Sequence, residues 1–226
     1  TTTVGLYRVT AEEDMNLLGL PLLPMSSSLE EVLGGQLSGA DNEGDADRIW
    51  VWNGSNYEFA WLAEGAGVPP QYEGTWFTGV APATIELQAD QGFWVQVRTG
   101  HGSTDLYLLG EVSASDRPIP LAAGMNLVSP SFPAGRPLGD QGPEDANLWE
   151  SGAQGADNEG DADRTWGWTG SNYQFHWLVD NVGAPYNGLW YTGNSPSTLT
   201  IEPGRGYWVQ IRDGHAPFIW TYPAVP

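Results

Sequence analysis

The chain has 226 residues, 28 of them acidic and only eight basic, all eight arginine, for a net charge of −20. So acidic a surface repels phosphate backbones and anionic lipid, which excludes nucleic-acid and membrane-surface binding, and no apolar run reaches the ~20 residues of a membrane span. Thirty Gly, 17 Pro, 12 Trp and no Cys point away from helices and disulfides and towards short strands joined by turns.

In chain order, the opening segment TTTVGLYRVT, from Thr1 to Thr10, has strand composition. Starting without Met, it suggests a processed product whose signal peptide has been removed, destined for the extracellular space or the cell surface. The segment reads either as the first strand of its own domain or as a strand donated to a neighbouring subunit. Residues 28–33, SLEEVL, are the one helix candidate, with Ser28 as cap and Glu30 and Glu31 in the first turn. The loop GADNEGDADR at 39–48 leads into RIWVWNGSNYEFAWL, two alternating runs about the turn Asn53-Gly54, the signature of a β-hairpin. Further strands are expected at 74–78, 84–88, 93–98 and 105–109.

From residue 113 the same order recurs. MNL at 15–17 returns at 125–127, GADNEGDADR returns unchanged at 155–164, and GFWVQVRTGH at 92–101 returns as GYWVQIRDGH at 206–215. Counterpart strands fall at 188–192, 198–202, 207–212 and 218–222. The expected organisation is therefore all-β with very little helix: two tandem homologous domains, 1–112 and 113–226, each a sandwich or barrel-like unit. In the hairpin, Trp50, Trp52, Tyr57, Phe59 and Trp61 persist as Trp166, Trp168, Tyr173, Phe175 and Trp177. Ile49, Val51, Glu58 and Ala60 become Thr165, Gly167, Gln174 and His176. Change on alternate residues marks a strand with one constrained face, and large aromatics predict that this face is the buried core.

Asp41, Asn42, Glu43, Asp45 and Asp47, with Asp157, Asn158, Glu159, Asp161 and Asp163 in the second copy, put oxygens at alternate positions of a turning loop. Ca2+ takes six to eight such oxygens in flexible geometry, whereas Zn2+ wants His or Cys. Neighbouring carboxylates repel by about 1 kcal/mol per pair at 4 Å even in water, which a divalent cation would relieve. Calcium is thus the expected cofactor, against the alternative of a bare turn whose side chains bond nearby N–H groups while Arg48 partly neutralises the cluster. Trp76, Trp94, Trp190 and Trp208 lie outside the constrained hairpin face and are the candidate stacking platforms for a glycan. His101 and His215 follow Gly in matching positions and read as loop packing. No nucleophile elbow, zinc-protease motif or phosphate loop occurs, so an enzyme is not expected.

Each half begins with a Met-Asn-Leu segment running into Pro, at 15–21 and 125–130, and closes with Gly-Phe/Tyr-Trp-Val-Gln, at 92–96 and 206–210. This resembles bacterial secreted and cell-surface β-domains that open with a G-x-N-L-I-S-x-P type motif and close with a P-G-x-G-Y-W-V type motif. The second half carries Gly124 and Pro203-Gly204-Arg205-Gly206, where the first has Asp14 and Ala89-Asp90-Gln91-Gly92. The resemblance implies an exported, noncatalytic role and transfers no active-site residue. The expectation is an extracellular structural subunit of a filament, sheath or surface layer, self-associating through edge strands, with calcium in its loops. The alternative is a calcium-dependent carbohydrate-binding protein.

Overall fold

The computed structural model describes residues 3–139, 142 and 144–224. Among the described residues nine strands form in the first half: β1 (Val4–Ala11), β2 (Asp14–Gly19), β3 (Leu23–Pro24), β4 (Arg48–Trp52), β5 (Tyr57–Ala63), β6 (Thr75–Thr78), β7 (Ala81–Pro82), β8 (Gly92–Val97) and β9 (Thr104–Glu111); β10 (Arg117–Leu121) opens the second half. The chain continues with β11 (Gly124–Val128), β12 (Arg136–Pro137), β13 (Arg164–Trp168), β14 (Tyr173–Leu178), β15 (Trp190–Thr192), β16 (Ser195–Pro196), β17 (Thr200–Ile201), β18 (Tyr207–Ile211) and β19 (Phe218–Tyr222). A one-turn helix, α1 (Leu29–Val32), follows Ser28 as the sequence predicts, although Ser28 makes no side-chain capping bond. The fold is all-β.

Two six-stranded antiparallel sheets have the same order, β2-β8-β4-β5-β6-β7 and β11-β18-β13-β14-β15-β16. Each is covered on one face by a smaller sheet from the same half, β1-β9-β3 in the first and β10-β19 in the second. Val9, Leu106 and Leu108 of the small sheet meet Ile49, Val51, Leu62, Phe93 and Val95 of the large one, and Ile119, Trp220 and Tyr222 do the same over Leu178, Val209 and Ile211. These are sandwich cores, with apolar residues alternating inward along each strand.

The opening strand pairs within its own half. Of the segment Thr1 to Thr10, Thr1 and Thr2 lie outside the described residues, and β1 runs antiparallel to β9 from Val4 opposite Glu111 to Ala11 opposite Thr104. The strand expected at 84–88 does not form; a single bridge, Ser28 to Glu86, stands in its place. Pro82 just before it removes a ladder donor, and α1 occupies the adjacent surface.

The hairpin is where the structure reverses the sequence expectation. The residues that differ between the halves, Ile49, Val51 and Ala60 against Thr165, Gly167 and His176, face the buried cores. The persistent aromatics Trp50, Trp52, Phe59, Trp166, Trp168 and Phe175 lie half-buried on the opposite side of the sheet. A second layer explains why. Trp50, Trp52, Trp166 and Trp168 pack with Leu17, Trp94, Leu127 and Trp208 in a cluster drawn from both halves, so the constrained face is the one the halves share.

The Met-Asn-Leu motif has a local cause. Asn16 accepts a hydrogen bond from Glu12 N–H at 2.9 Å and donates to the carbonyls of Glu12 and Asp14 at 2.7 and 3.1 Å, pinning the turn between β1 and β2. Asn126 repeats this with Ala122 and Gly124. The residue two before each Asn adopts φ of +80° at Asp14 and +89° at Gly124, the left-handed region that Gly enters freely and Asp tolerates better than most residues.

Candidate functional site

The acidic loop of each half enters beside the second hairpin strand, through a one-residue parallel bridge of Ala40 to Ala63 and of Ala156 to Val179. Of its carboxylates, Asp47 is buried, its residue 1% exposed. Its Oδ2 accepts from Ser38 N–H at 2.8 Å, and its Oδ1 takes Arg98 N–H and His101 Nδ1, each at 2.7 Å. Asp163 does the same with Gln154, Arg212 and His215. These two aspartates tie the loop to the strand end after β8 or β18, and that gives His101 and His215 their packing role. Both carboxylates are spent on protein donors.

The other acids of the loop are exposed. Asn42 gathers two of them: its Nδ2 donates to Asp41 Oδ1 at 3.0 Å and Asp45 Oδ2 at 2.9 Å, while its Oδ1 accepts from the N–H groups of Gly44 and Asp45. Asn158 holds Asp157 and Asp161 together in the same way. Main-chain oxygens a cation could use are taken by guanidinium groups. Arg48 and Arg98 both donate to Glu43 O, Arg164 donates to Glu159 O, and Arg212 donates to Gly160 O. Glu43 itself lies 3.9 Å from Arg48. Among the described residues no group of three or more His, Asp or Glu converges as a metal cage. The loop thus brings Asp41, Asn42 and Asp45 together, and it separates Asp47 and Asp163 from the predicted set.

The four candidate platforms are packed. Trp76 and Trp190 are 2% exposed and belong to the cores of the two halves. Trp94 and Trp208 sit in the seam between the sheets, where the contacts are reciprocal. Trp52 meets Trp208 edge-on at 5.5 Å between ring centroids, and Trp168 meets Trp94 at 5.2 Å. Trp94 Nε1–H donates to Tyr57 Oη at 3.0 Å and Trp208 Nε1–H to Tyr173 Oη at 3.1 Å, while burial raises the pKa of both phenols, that of Tyr173 to about 12. Trp94 and Trp208 are 7% and 8% exposed, too little surface for a pyranose ring to stack on.

The seam continues into the backbone with the same reciprocity. Single bridges join Leu18 to Arg205 and Gln91 to Val128, and the bonds Gly19 N–H to Gly204 O and Ser129 N–H to Asp90 O correspond. Asp90, at φ of +63° where the second half has Gly204, adds contacts of its own. Its carboxylate accepts from Ser131 N–H at 2.8 Å and pairs with Arg117. The arrangement is that of a self-complementary two-fold interface made within one chain.

Among the described residues three clefts flank the seam, one of about 360 Å3 beside Asn53, Asp90, Gln91 and Asn126, one of about 220 Å3 beside Gly167, Gln174, Glu202 and Arg205, and one of about 160 Å3 beside Met125, Trp166, Tyr173 and Trp208. Composition alone does not reveal the seam, because a buried aromatic face looks the same whether its cover is one's own domain or a tandem copy. The reversed pattern of change was the available signal: a core can drift within one half, whereas a shared face must fit its mate. No protein family matches the chain, and neither a curated protein nor a solved structure is detectably similar to it.

Proposed function

We propose that the protein is an extracellular structural subunit, two tandem β-sandwich domains clamped into one rigid body, that builds a filament, sheath or surface layer. The observation that carries this reading is the reciprocal tryptophan seam. It uses the chain's aromatic surface to join the halves, and it leaves Trp94 and Trp208 less than a tenth exposed. A clamp of this kind serves a part that must keep its shape under load. The acidic loops fit the same role, since Asp47 and Asp163 anchor each loop and leave Asp41 and Asp45 paired at the surface, where calcium would replace the Asn42 amide between them.

Electron microscopy of the purified full chain, with calcium and with a chelator, tests the proposal. Ordered assemblies in calcium that disperse on chelation are the expected result. Dispersed particles in both conditions, together with measurable affinity on a glycan array, overturn it in favour of the carbohydrate-binding reading.

A further inference from the structure

An unpaired sheet edge is a template for another strand, and this fold closes its edges by several devices. The two large sheets end on one side at β2 and β11, which meet the opposite half across the seam. On the other side they end at β7 and β16, two-residue strands that each contain a proline, Pro82 and Pro196. The far edge of β9 is covered by β3 and by the Gln36 side chain, which bonds both N–H and O of Tyr107. The far edge of β19 is covered by Asn147 and Ser151, which bond O and N–H of Thr221. β10 carries Pro118 and Pro120. Proline has no N–H to donate, so Arg117, Ile119 and Leu121 carry the ladder to β19, and the prolines sit on the open side.

β1 has none of these devices. It is eight residues long, holds neither proline nor carboxylate, and among the described residues pairs only with β9. Val112 N–H bonds Thr3 O at 2.8 Å, which sets the phase of the ladder. Gly5, Tyr7, Val9 and Ala11 exchange bonds with β9, while Val4, Leu6, Arg8 and Thr10 turn their N–H and C=O outwards. Counted from the Met-Asn-Leu motif, Arg8 and Thr10 are the positions that Pro118 and Pro120 occupy in the other half. Val4 and Leu6 are 53% and 66% exposed, and Tyr107 and Leu109 beside them on β9 are 49% and 57% exposed.

We infer that β1 is a dimerisation strand, pairing antiparallel with β1 of a second copy about a two-fold axis at Leu6. This rests on the reading of the chain as a self-associating subunit and specifies its first contact. Charge favours a second copy as occupant. In a chain of net charge −20, this strand carries one cation and no acid, so two copies approach here with least repulsion. With Leu6 opposite Leu6, Arg8 of one copy stands opposite Val4 of the other. Glu111 is the next residue across, two strand spacings or about 10 Å away. The two side chains lie on one face and meet over Val4, giving two reciprocal ion pairs in exchange for the exposed pair that Arg8 makes with Asp105 of its own chain at 3.4 Å. Because the equivalent edge of the second half is blocked by proline, the pairing closes at two copies.

Sedimentation of the full chain over micromolar to hundred-micromolar concentrations, in chelator to silence the loops, tests this. A dimer is expected. Leu6→Lys, at an exposed position, and Leu6→Pro, which removes an N–H that β9 does not use, each weaken it at least tenfold with the fold retained. Amide exchange at Val4, Leu6 and Arg8 slows as the dimer forms. In the opposite direction, replacing Pro118 and Pro120 by Thr and Val opens a second edge and yields species larger than a dimer. A monomer at every concentration, or a dimer indifferent to both Leu6 changes, overturns the pairing. If Leu6→Lys still forms calcium-dependent assemblies like the wild type, the pairing fails and the structural role stands; if the dimer forms but no assembly ever does, the reverse holds.

Discussion

His176 replaces Ala60 in a core otherwise apolar, and beside it Thr165 replaces Ile49. Its Nδ1 lies 2.8 Å from Ser197 Oγ, while Nε2 and the neighbouring Thr165 Oγ1 are buried with no hydrogen-bond partner among the described residues. Burial lowers the His176 pKa from 6.5 to about 4. Between those values the unfolded chain binds a proton that the folded chain refuses. Stability from this group is therefore whole above about pH 6.5 and is lost as pH falls towards 4, by up to about 3 kcal/mol. Melting curves of wild type and His176→Ala should separate in that window, the variant losing less on acidification; parallel profiles would contradict the burial. Thr165→Val removes an unsatisfied hydroxyl and is expected to raise stability by about 1 kcal/mol in chemical denaturation. Asn16→Ala leaves the β1–β2 turn without its amide and costs about 2 kcal/mol by the same measurement.

The acidic loop and the hairpin are the elements the sequence marks most plainly, and they differ in how far they could be read. The hairpin's period, turn and strands are legible because Asn53-Gly54 and alternation are local properties. Its inward face is not, because burial depends on what packs against the strand. The loop's composition is legible too, but not the division of labour within it. Nothing in DNEGDAD distinguishes Asp47, which bonds backbone from Ser38 and Arg98, from Asp41 and Asp45, which face water. That division is testable. Asp47→Asn should lower the melting temperature equally in calcium and in chelator, since it weakens a charge-assisted brace to protein groups. Asp41→Asn with Asp45→Asn should matter only in calcium. Equal effects in both conditions for the exposed pair would leave the loop a turn braced by protein alone.

At the scale of the whole molecule, the repeated order of strands was readable from the repeated motifs, whereas the seam required knowing how two sheets meet. The joining segment between β9 and β10 is short, and the contacts across the seam hold the halves without it. A protease site placed between Val112 and Asp116 should therefore give two fragments that co-elute. Replacing Trp52 and Trp168 by Ala, each a change costing about 3–5 kcal/mol at a packed site, should release them. Fragments that part without those changes would show that the linkage, and not the seam, keeps the halves together.

The crosswise grip of Trp52 on Trp208 and of Trp168 on Trp94 also sets how such a tandem can evolve. A change at one ring is felt by the mate diagonally opposite, so neither copy can drift alone on that side, whereas Ile49, Val51 and Ala60 answer only to neighbours within their own half. Any chain built on this repeat should thus keep matching indoles long after its two interiors have ceased to look alike.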